Sequence, residues 1–208
     1  MDDEVAFLCK LIVIGDAGVG KSNIITQYTK SIFDTNIKPT LGIEFIMKQI
    51  RLKDRNMKLQ IWDTAGQEKY RALAKNLYRN AFGVMIVYDI SKRKSFDSIR
   101  KWIEEARNYA TEGASVIIVG NKKDLNDIRE VSVEEGQTVS QEQGCFFLET
   151  SALDNSDKMI EKVFETLAED ILVKKEEENN QLNNEPAGKK IEMNSATSAK
   201  DDSKKGCC

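Results

Sequence analysis

Four short segments of this 208-residue chain hold the residue types needed to grip and cleave a nucleotide. The first, Gly15–Ser22, reads Gly-Asp-Ala-Gly-Val-Gly-Lys-Ser and follows the apolar run Leu11–Ile14. Its spacing is that of a loop whose backbone N–H groups surround phosphates at a helix N-terminus. Gly18 and Gly20 permit backbone geometries and a close approach that a side chain would block. Lys21 supplies positive charge to the β- and γ-phosphates, and the Ser22 hydroxyl suits a Mg²⁺ ion. Asp16, Ala17 and Val19 complete the loop and Asn23 follows it, so these residues too are expected at the phosphates.

The second segment, Asp63-Thr64-Ala65-Gly66-Gln67, comes after the strand-like Leu59–Trp62. An Asp at the end of such a strand anchors the metal, either directly or from behind its first ligands. Gly66 can bring its N–H to a γ-phosphate oxygen, and Gln67 can orient the attacking water. Taken alone, the segment could be a turn that merely closes a strand. Behind a phosphate loop it reads as the γ-phosphate sensor.

Asn121-Lys122-Lys123-Asp124, the third segment, directly follows Val116–Val119 and Gly120. Guanine presents two adjacent donors, N1–H and its 2-amino group, and an ionised Asp124 accepts both. Adenine offers an acceptor at N1 and no amino group at C2. A site built on paired hydrogen bonds can reject such a mismatch by about 10⁴–10⁵. Asn121 can tie this loop to the phosphate loop, and the Lys122 stem can cover the base plane. The fourth segment is Ser151-Ala152, with Leu153 behind it, after Phe146–Leu148. It offers a backbone N–H to guanine O6, and in isolation it would carry no information.

Composition narrows the chemistry further. Histidine is absent, which removes imidazole acid–base catalysis, Ser-His-Asp triads and ordinary zinc sites. A net charge of −3 does not point to nucleic acid as a partner. With 40% hydrophobic and 31% charged residues, the chain has the composition of a globular domain, long enough for a real core plus a tail. No leader-like stretch or membrane-spanning run is visible in the sequence, so the chain is expected to start in the cytosol. Cys9 and Cys145 lie beside or within apolar runs and read as small buried hydrophobes. Cys207 and Cys208 end the sequence in polar surroundings that could bury neither.

Such segments need a scaffold that ends several strands at one edge. Leu8–Ile14, Val84–Tyr88 and Val116–Val119 are rich in β-branched residues and read as strands buried on both faces, with Phe146–Leu148 a shorter fourth. Ile43–Leu52 and Lys58–Trp62, separated by Lys53-Asp54-Arg55-Asn56, are expected to form an antiparallel hairpin. Phe96, Ile99, Ile103 and Ala106 recur at helical spacing, and Ser132-Val133-Glu134-Glu135 is a capping box that opens another helix. Ile160, Val163, Phe164, Leu167 and Ile171 mark a last helix of about four turns. This alternation specifies an α/β fold of three layers, with a six-stranded, mostly parallel sheet that carries one antiparallel edge strand. Its ligand lies at the carboxyl ends of the strands, where all four segments fall. From Lys174 onward the chain is polar, with seven lysines against seven acidic residues. Residues 174–208 are therefore expected to be a disordered tail behind a domain spanning 1–173.

In this order and spacing, the four segments resemble the Ras superfamily of small GTPases. Leu41-Gly42-Ile43-Glu44-Phe45 and Lys58-Leu59-Gln60-Ile61-Trp62-Asp63 resemble hallmark segments of the Rab family within it. The similarity spans about residues 5–173, and the Cys-Cys end is similar too. Asp2-Asp3-Glu4, Lys21-Ser22-Asn23 and Glu149–Leu153 lean towards the Rab branch associated with recycling endosomes.

The resemblance implies a Ras-like G domain of the P-loop NTPase class. It also implies a GTP/GDP-regulated switch in vesicle traffic that slowly hydrolyses GTP to GDP and phosphate with Mg²⁺. By it, Thr40 coordinates Mg²⁺ beside Ser22 and Asp63 and contacts the γ-phosphate. Phe33, core by type alone, gains a place against the guanine edge. Trp62, Phe45 and Tyr78 become an aromatic triad that reports switch state to effectors, with plain hydrophobic packing as the alternative. The resemblance further implies geranylgeranyl groups on Cys207 and Cys208, against the alternative of an unmodified dithiol. Two lipids suit this tail, because one gives marginal binding and no polybasic signal supplements it. The implied location is the cytoplasmic face of endomembranes (endosome, Golgi or vesicle), with a soluble cytosolic pool. An exchange factor, a GTPase-activating protein, a GDP-dissociation inhibitor and effectors are the implied partners of a monomer.

Three positions depart from the Rab pattern. Ala17 stands where Ser or Gly is usual, Leu77-Tyr78-Arg79-Asn80-Ala81 replaces Tyr-Tyr-Arg-Gly-Ala, and Leu153 replaces a Lys. Two other readings stay open at the level of the residues. A nucleotide-binding scaffold that no longer hydrolyses is opposed by Thr40, Gly66 and Gln67, and a metabolic P-loop kinase is opposed by Asn121–Asp124.

Overall fold

A computed structural model describes residues 7–36, 40, 42–64 and 76–184. The strands are β1 (Phe7–Ile14), β2 (Ile43–Leu52), β3 (Arg55–Thr64), β4 (Gly83–Asp89), β5 (Ser115–Asn121) and β6 (Phe146–Glu149). The helices are α1 (Lys21–Lys30), α2 (Arg93–Asp97), α3 (Ile99–Tyr109), α4 (Val133–Glu142) and α5 (Met159–Asn184). One six-stranded sheet runs in the order β2-β3-β1-β4-β5-β6, with every pair parallel except β2 and β3.

Successive side chains of a strand point to opposite faces, so a strand covered on both faces must be apolar throughout. Leu11 and Val13 of β1 join one buried cluster with Met85, Val87, Ile117 and Val119, whereas Ile12 and Ile14 join a second with Val84, Ile86 and Ile118. Ile24, Phe164 and Leu167 close the first cluster from α1 and α5. Phe96, Ile99, Ile103 and Val139 close the second from α2, α3 and α4. Three layers result, and the carboxyl ends of β1, β3, β4, β5 and β6 share one edge.

The hairpin is longer than its apolar centre suggests. Lys53 and Asp54 alone make the turn, at φ 46° and 63°, and Leu52 pairs directly with Arg55. A left-handed pair matches the twist of a two-residue hairpin, so β3 starts at Arg55 rather than Lys58. The helical run from Phe96 to Ala106 is two helices that meet at Ser98. Ser132 opens α4 as expected, accepting from the Glu135 N–H at 3.2 Å while the Glu135 carboxylate accepts from the Ser132 N–H at 3.0 Å.

The last helix spans 26 residues and continues past Val173, where composition suggested loss of structure. Lys174 pairs with Asp170 at 2.8 Å and bonds the Gly113 carbonyl at 3.1 Å. The Lys175 ammonium lies 4.7 Å over the Phe82 ring, and Arg55 reaches Glu176 at 3.4 Å. Lys, Glu and Gln are good helix formers, so a polar stretch that builds no core can still prolong an anchored helix. Cys207 and Cys208 lie outside the described residues. Cys9 is fully buried, and burial pushes its thiol up to about 12. Cys145 is only half-buried, because it precedes β6 in a turn where its Sγ reaches the Gln143 carbonyl at 3.3 Å. Among the described residues, no helix is long and apolar enough to cross a membrane.

Candidate functional site

The chain leaves β1 at Ile14 and enters α1 at Lys21 through a loop pressed against its neighbours. A Cβ on Gly15, at φ 138°, would lie 2.2 Å from the Val87 carbonyl oxygen of β4. One on Gly20, at φ 99°, would lie 2.3 Å from the Asn121 side-chain nitrogen. Only glycine fits either place. The loop carbonyls are engaged from two sides. Asn121 Nδ2 donates to Val19 at 2.8 Å and Lys122 Nζ to Gly18 at 2.9 Å, while Lys21 Nζ donates to Gly15 and Asp16, both at 2.9 Å.

Lys21 is 6% exposed, and burial pulls its ammonium from an ordinary 10.5 down to about 8, against the pull of Asp63 and Asp16. A buried cation resting on neutral carbonyls favours any anion brought within reach. The Asp16 carboxylate faces away from the loop, accepting from Ser98 Oγ and Trp102 Nε1 at 2.9 Å each. Asn23 accepts from the Asp34 N–H at 3.2 Å, and Ala17 is exposed.

Three oxygens from α1, the Thr40 loop and the end of β3 converge beside this loop. Ser22 Oγ donates to Asp63 Oδ2 at 2.5 Å and lies 2.9 Å from Thr40 Oγ1, which in turn lies 3.3 Å from the same carboxylate oxygen. Asp63 is 5% exposed, and its Oδ1 is buried with no partner among the described residues. Burial pushes this carboxyl up, opposed by the Ser22 and Thr40 hydrogen bonds and by Lys21. Two hydroxyls beside an orphaned carboxylate oxygen form a hard donor set, and these residues fit Mg²⁺. Gly66 and Gln67 lie outside the described residues.

At the ends of β5 and β6 the polar groups bond one another. Asn121 Oδ1 accepts from Thr150 Oγ1 and from the Ala152 N–H, both at 3.3 Å. The Thr150 N–H bonds the Gly120 carbonyl at 2.8 Å, and the Lys123 N–H bonds the Thr150 carbonyl at 3.0 Å. Asp124, exposed at the start of the 3₁₀ helix Lys123–Ile128, accepts from Ser151 Oγ, which accepts from the Asp154 N–H at 2.9 Å. Leu153 is exposed beyond them. Phe33 is half-buried and packs against the cluster under α1 and α5, the core position its type suggests. Phe45 stacks on Trp62 with ring centroids 5.2 Å apart. Tyr78 is buried in the cluster against which Trp62 packs, and its ring tilts over Tyr109 at 6.0 Å.

Two residues that motif reading missed complete this end of the sheet. Asp89 closes β4, fully buried, 2.7 Å from the Lys122 ammonium. Burial alone would raise its carboxyl, but Lys122 and two bonds from Ser91 hold it below the usual range. A lone Asp ending an apolar strand at the ligand edge was the available signal. Arg129 grips Glu149 with both arms, at 2.6 and 2.8 Å, and so ties the segment after the 3₁₀ helix to β6. No local pattern marks that pair.

Comparison with known proteins places this chain among relatives. The Ras family model matches residues 10–173. Ras-related protein RABA5b of Arabidopsis thaliana is 45% identical over 165 residues, covering 79% of this chain and 75% of that protein. Ras-related protein Rab11C of Lotus japonicus is 44% identical over 171 residues, covering 82% and 78%. Ras-related protein RGP2 of Oryza sativa subsp. japonica is 43% identical over 171 residues, again covering 82% and 78%.

Proposed function

This chain belongs to the Ras family, among its Rab GTPases, and on that footing we propose that the pocket at the sheet edge runs a GTP-operated switch in vesicle traffic. The enzyme class is GTP hydrolase. The observation that carries the assignment of roles is the Asn121 amide, which bonds Val19 of the phosphate loop and Ala152 of the base loop at once. Base reader and phosphate reader are thereby one body.

Asp124 takes the N1–H and 2-amino donors of guanine, Ala152 and its neighbours Ser151 and Leu153 border O6, and the Lys122 stem and Phe33 cover the ring. Residues Asp16 to Asn23 wrap the phosphates. Lys21 exchanges its carbonyl partners for phosphate oxygens, a charge-assisted and stronger contact for a buried ammonium. Mg²⁺, when bound, would be held by Ser22, Thr40 and Asp63 and would supply neutralisation of phosphate charge. Gly66 holds the γ-phosphate and Gln67 orients the attacking water. Once the γ-phosphate leaves, the loops bearing Thr40 and Gly66 lose their hold and relax. Unaided turnover of such sites is on the order of 10⁻⁴–10⁻² s⁻¹, and an activating protein adds up to about 10⁵-fold. Geranylgeranyl groups on Cys207 and Cys208 anchor the GTPase to the cytoplasmic face of endomembranes, where an exchange factor, a GDP-dissociation inhibitor and effectors meet it.

Stripped of ligand and titrated in Mg²⁺, the protein is expected to bind GDP at least about 10³-fold more tightly than ADP. Equal affinity for the two would overturn the reading. Gln67→Leu is expected to keep GTP affinity while losing intrinsic and stimulated hydrolysis; unchanged turnover would remove its role. Mass spectrometry of the tail from native cells is expected to find both cysteines lipidated, and two free thiols would remove the anchor.

A further inference from the structure

The Asp16 side chain makes two contacts that neither phosphate binding nor base reading uses. Its carboxylate accepts from Ser98 Oγ at 2.9 Å and from the Trp102 indole N–H at 2.9 Å. Ser98 is the joint where α2 stops and α3 starts, and the Trp102 backbone N–H bonds the Ser98 carbonyl at 3.2 Å. Both donors therefore sit on the first turn of α3, where a carboxylate is also favoured by the helix dipole. The other end of the same residue reaches the phosphate machinery. The Asp16 carbonyl is one of the two that hold the Lys21 ammonium, and Gly15 before it is wedged against the Val87 carbonyl.

The remaining ties on the loop come from elsewhere. Asn121 and Lys122 hold the carbonyls of Val19 and Gly18, in its second half and from the β5 side. The first half is held by Lys21 on the Gly15 and Asp16 carbonyls and, from α3, by the two bonds to the Asp16 carboxylate. Both bonds to the carboxylate are charge-assisted, and such bonds are about twice as strong as neutral ones.

We propose that Ser98 and Trp102 are positioning residues for the phosphate loop, acting through the Asp16 carboxylate to set how long a nucleotide stays bound. Contact runs from the first turn of α3 to the Asp16 side chain, through its backbone to Lys21, and so to the phosphates. The inference rests on the loop being the phosphate site of a guanine nucleotide.

A double-mutant cycle on GDP release tests it, with the full chain in Mg²⁺. Trp102→Phe keeps an aromatic ring against the second cluster, where Trp102 packs, and removes the N–H donor. Trp102→Phe and Ser98→Ala are each expected to speed release about tenfold, the size of one charge-assisted hydrogen bond. Either change made on top of Asp16→Ala is expected to add nothing, because the acceptor is already gone. The preference for GDP over IDP is expected to hold in every variant, since the base loops keep their own bonds.

Additive effects would mean that these side chains act by packing alone, and release at the wild-type rate would mean that they do not act at all. Either result overturns the proposal. Should Trp102→Phe fail to fold, the cycle of Ser98→Ala with Asp16→Ala answers the same question. Wild-type protein that ignores GDP takes down the functional reading and this inference together, whereas wild-type binding with an additive cycle sinks this inference alone.

Discussion

On the side proposed for the base, Asn121 places both ends of its amide on protein partners, and Thr150, Ser151 and Ala152 complete a closed set of hydrogen bonds. On the side proposed for the phosphates, the Lys21 ammonium rests on two neutral carbonyls and Asp63 Oδ1 is buried with no partner among the described residues. A network that satisfies itself keeps its shape whatever is bound, and shape held in advance is what discriminates one base from another. Groups left unbalanced are stabilised in proportion to the charge that arrives. On the proposed assignment, the base half of the pocket selects and the phosphate half responds to how many phosphates are present.

The sharpest way to separate the halves is Asp124→Asn. Xanthine carries an oxygen where guanine has its 2-amino group, and an amide can donate to it. The ratio of GDP to XDP affinity is expected to shift by about 10⁴ with Mg²⁺ dependence intact, and a retained guanine preference would break the base assignment. Lys21→Met is expected to lower GDP and GTP affinity by about 10²–10³, as loss of a buried charge contact does, while the guanine-to-adenine ratio stays put. A collapsed ratio would mean the halves are not separable.

The same lysine adds a pH signature to the nucleotide-free protein. Its folded value near 8 lies below the ordinary 10.5, so the unfolded chain holds more protons between the two. Stability is then expected to rise with pH across that window and to lose the slope in Lys21→Met, measured by denaturant midpoint. Gly15→Ala forces a Cβ to within 2.2 Å of the Val87 carbonyl, and is expected to cost about 2–4 kcal/mol in a denaturant melt. Ser132→Ala, which removes the α4 cap, is expected to cost about 1 kcal/mol and leave GDP affinity unchanged.

The phosphate loop, the hairpin and the α4 cap are legible in the sequence because each is decided locally, by glycine conformation, alternation and reciprocal capping. The break at Ser98 is not, because Phe96 and Ile99 feed one buried cluster whether or not the helix is continuous. Nor is the reach of α5, whose anchors Phe82, Gly113 and Arg55 stand far away in sequence. Asp89 and Arg129 escaped notice for the same reason, since their partners Lys122 and Glu149 become neighbours only when strands align. Phe33 is where its residue type suggests, against the core.

The turn at Lys53 and Asp54 acts as a ruler for the opposite end of the hairpin. β2 is an edge strand, so this tip and its one neighbour count out its register. With Leu52 opposite Arg55, Ile43 falls opposite Thr64, and Thr40 comes within 3.3 Å of Asp63. One residue inserted at the tip, if the strand slid to absorb it, would turn exposed Phe45 inward and half-buried Ile46 outward, carrying Thr40 off its mark. The length of a two-residue surface bend thus calibrates whether two distant oxygens ever meet.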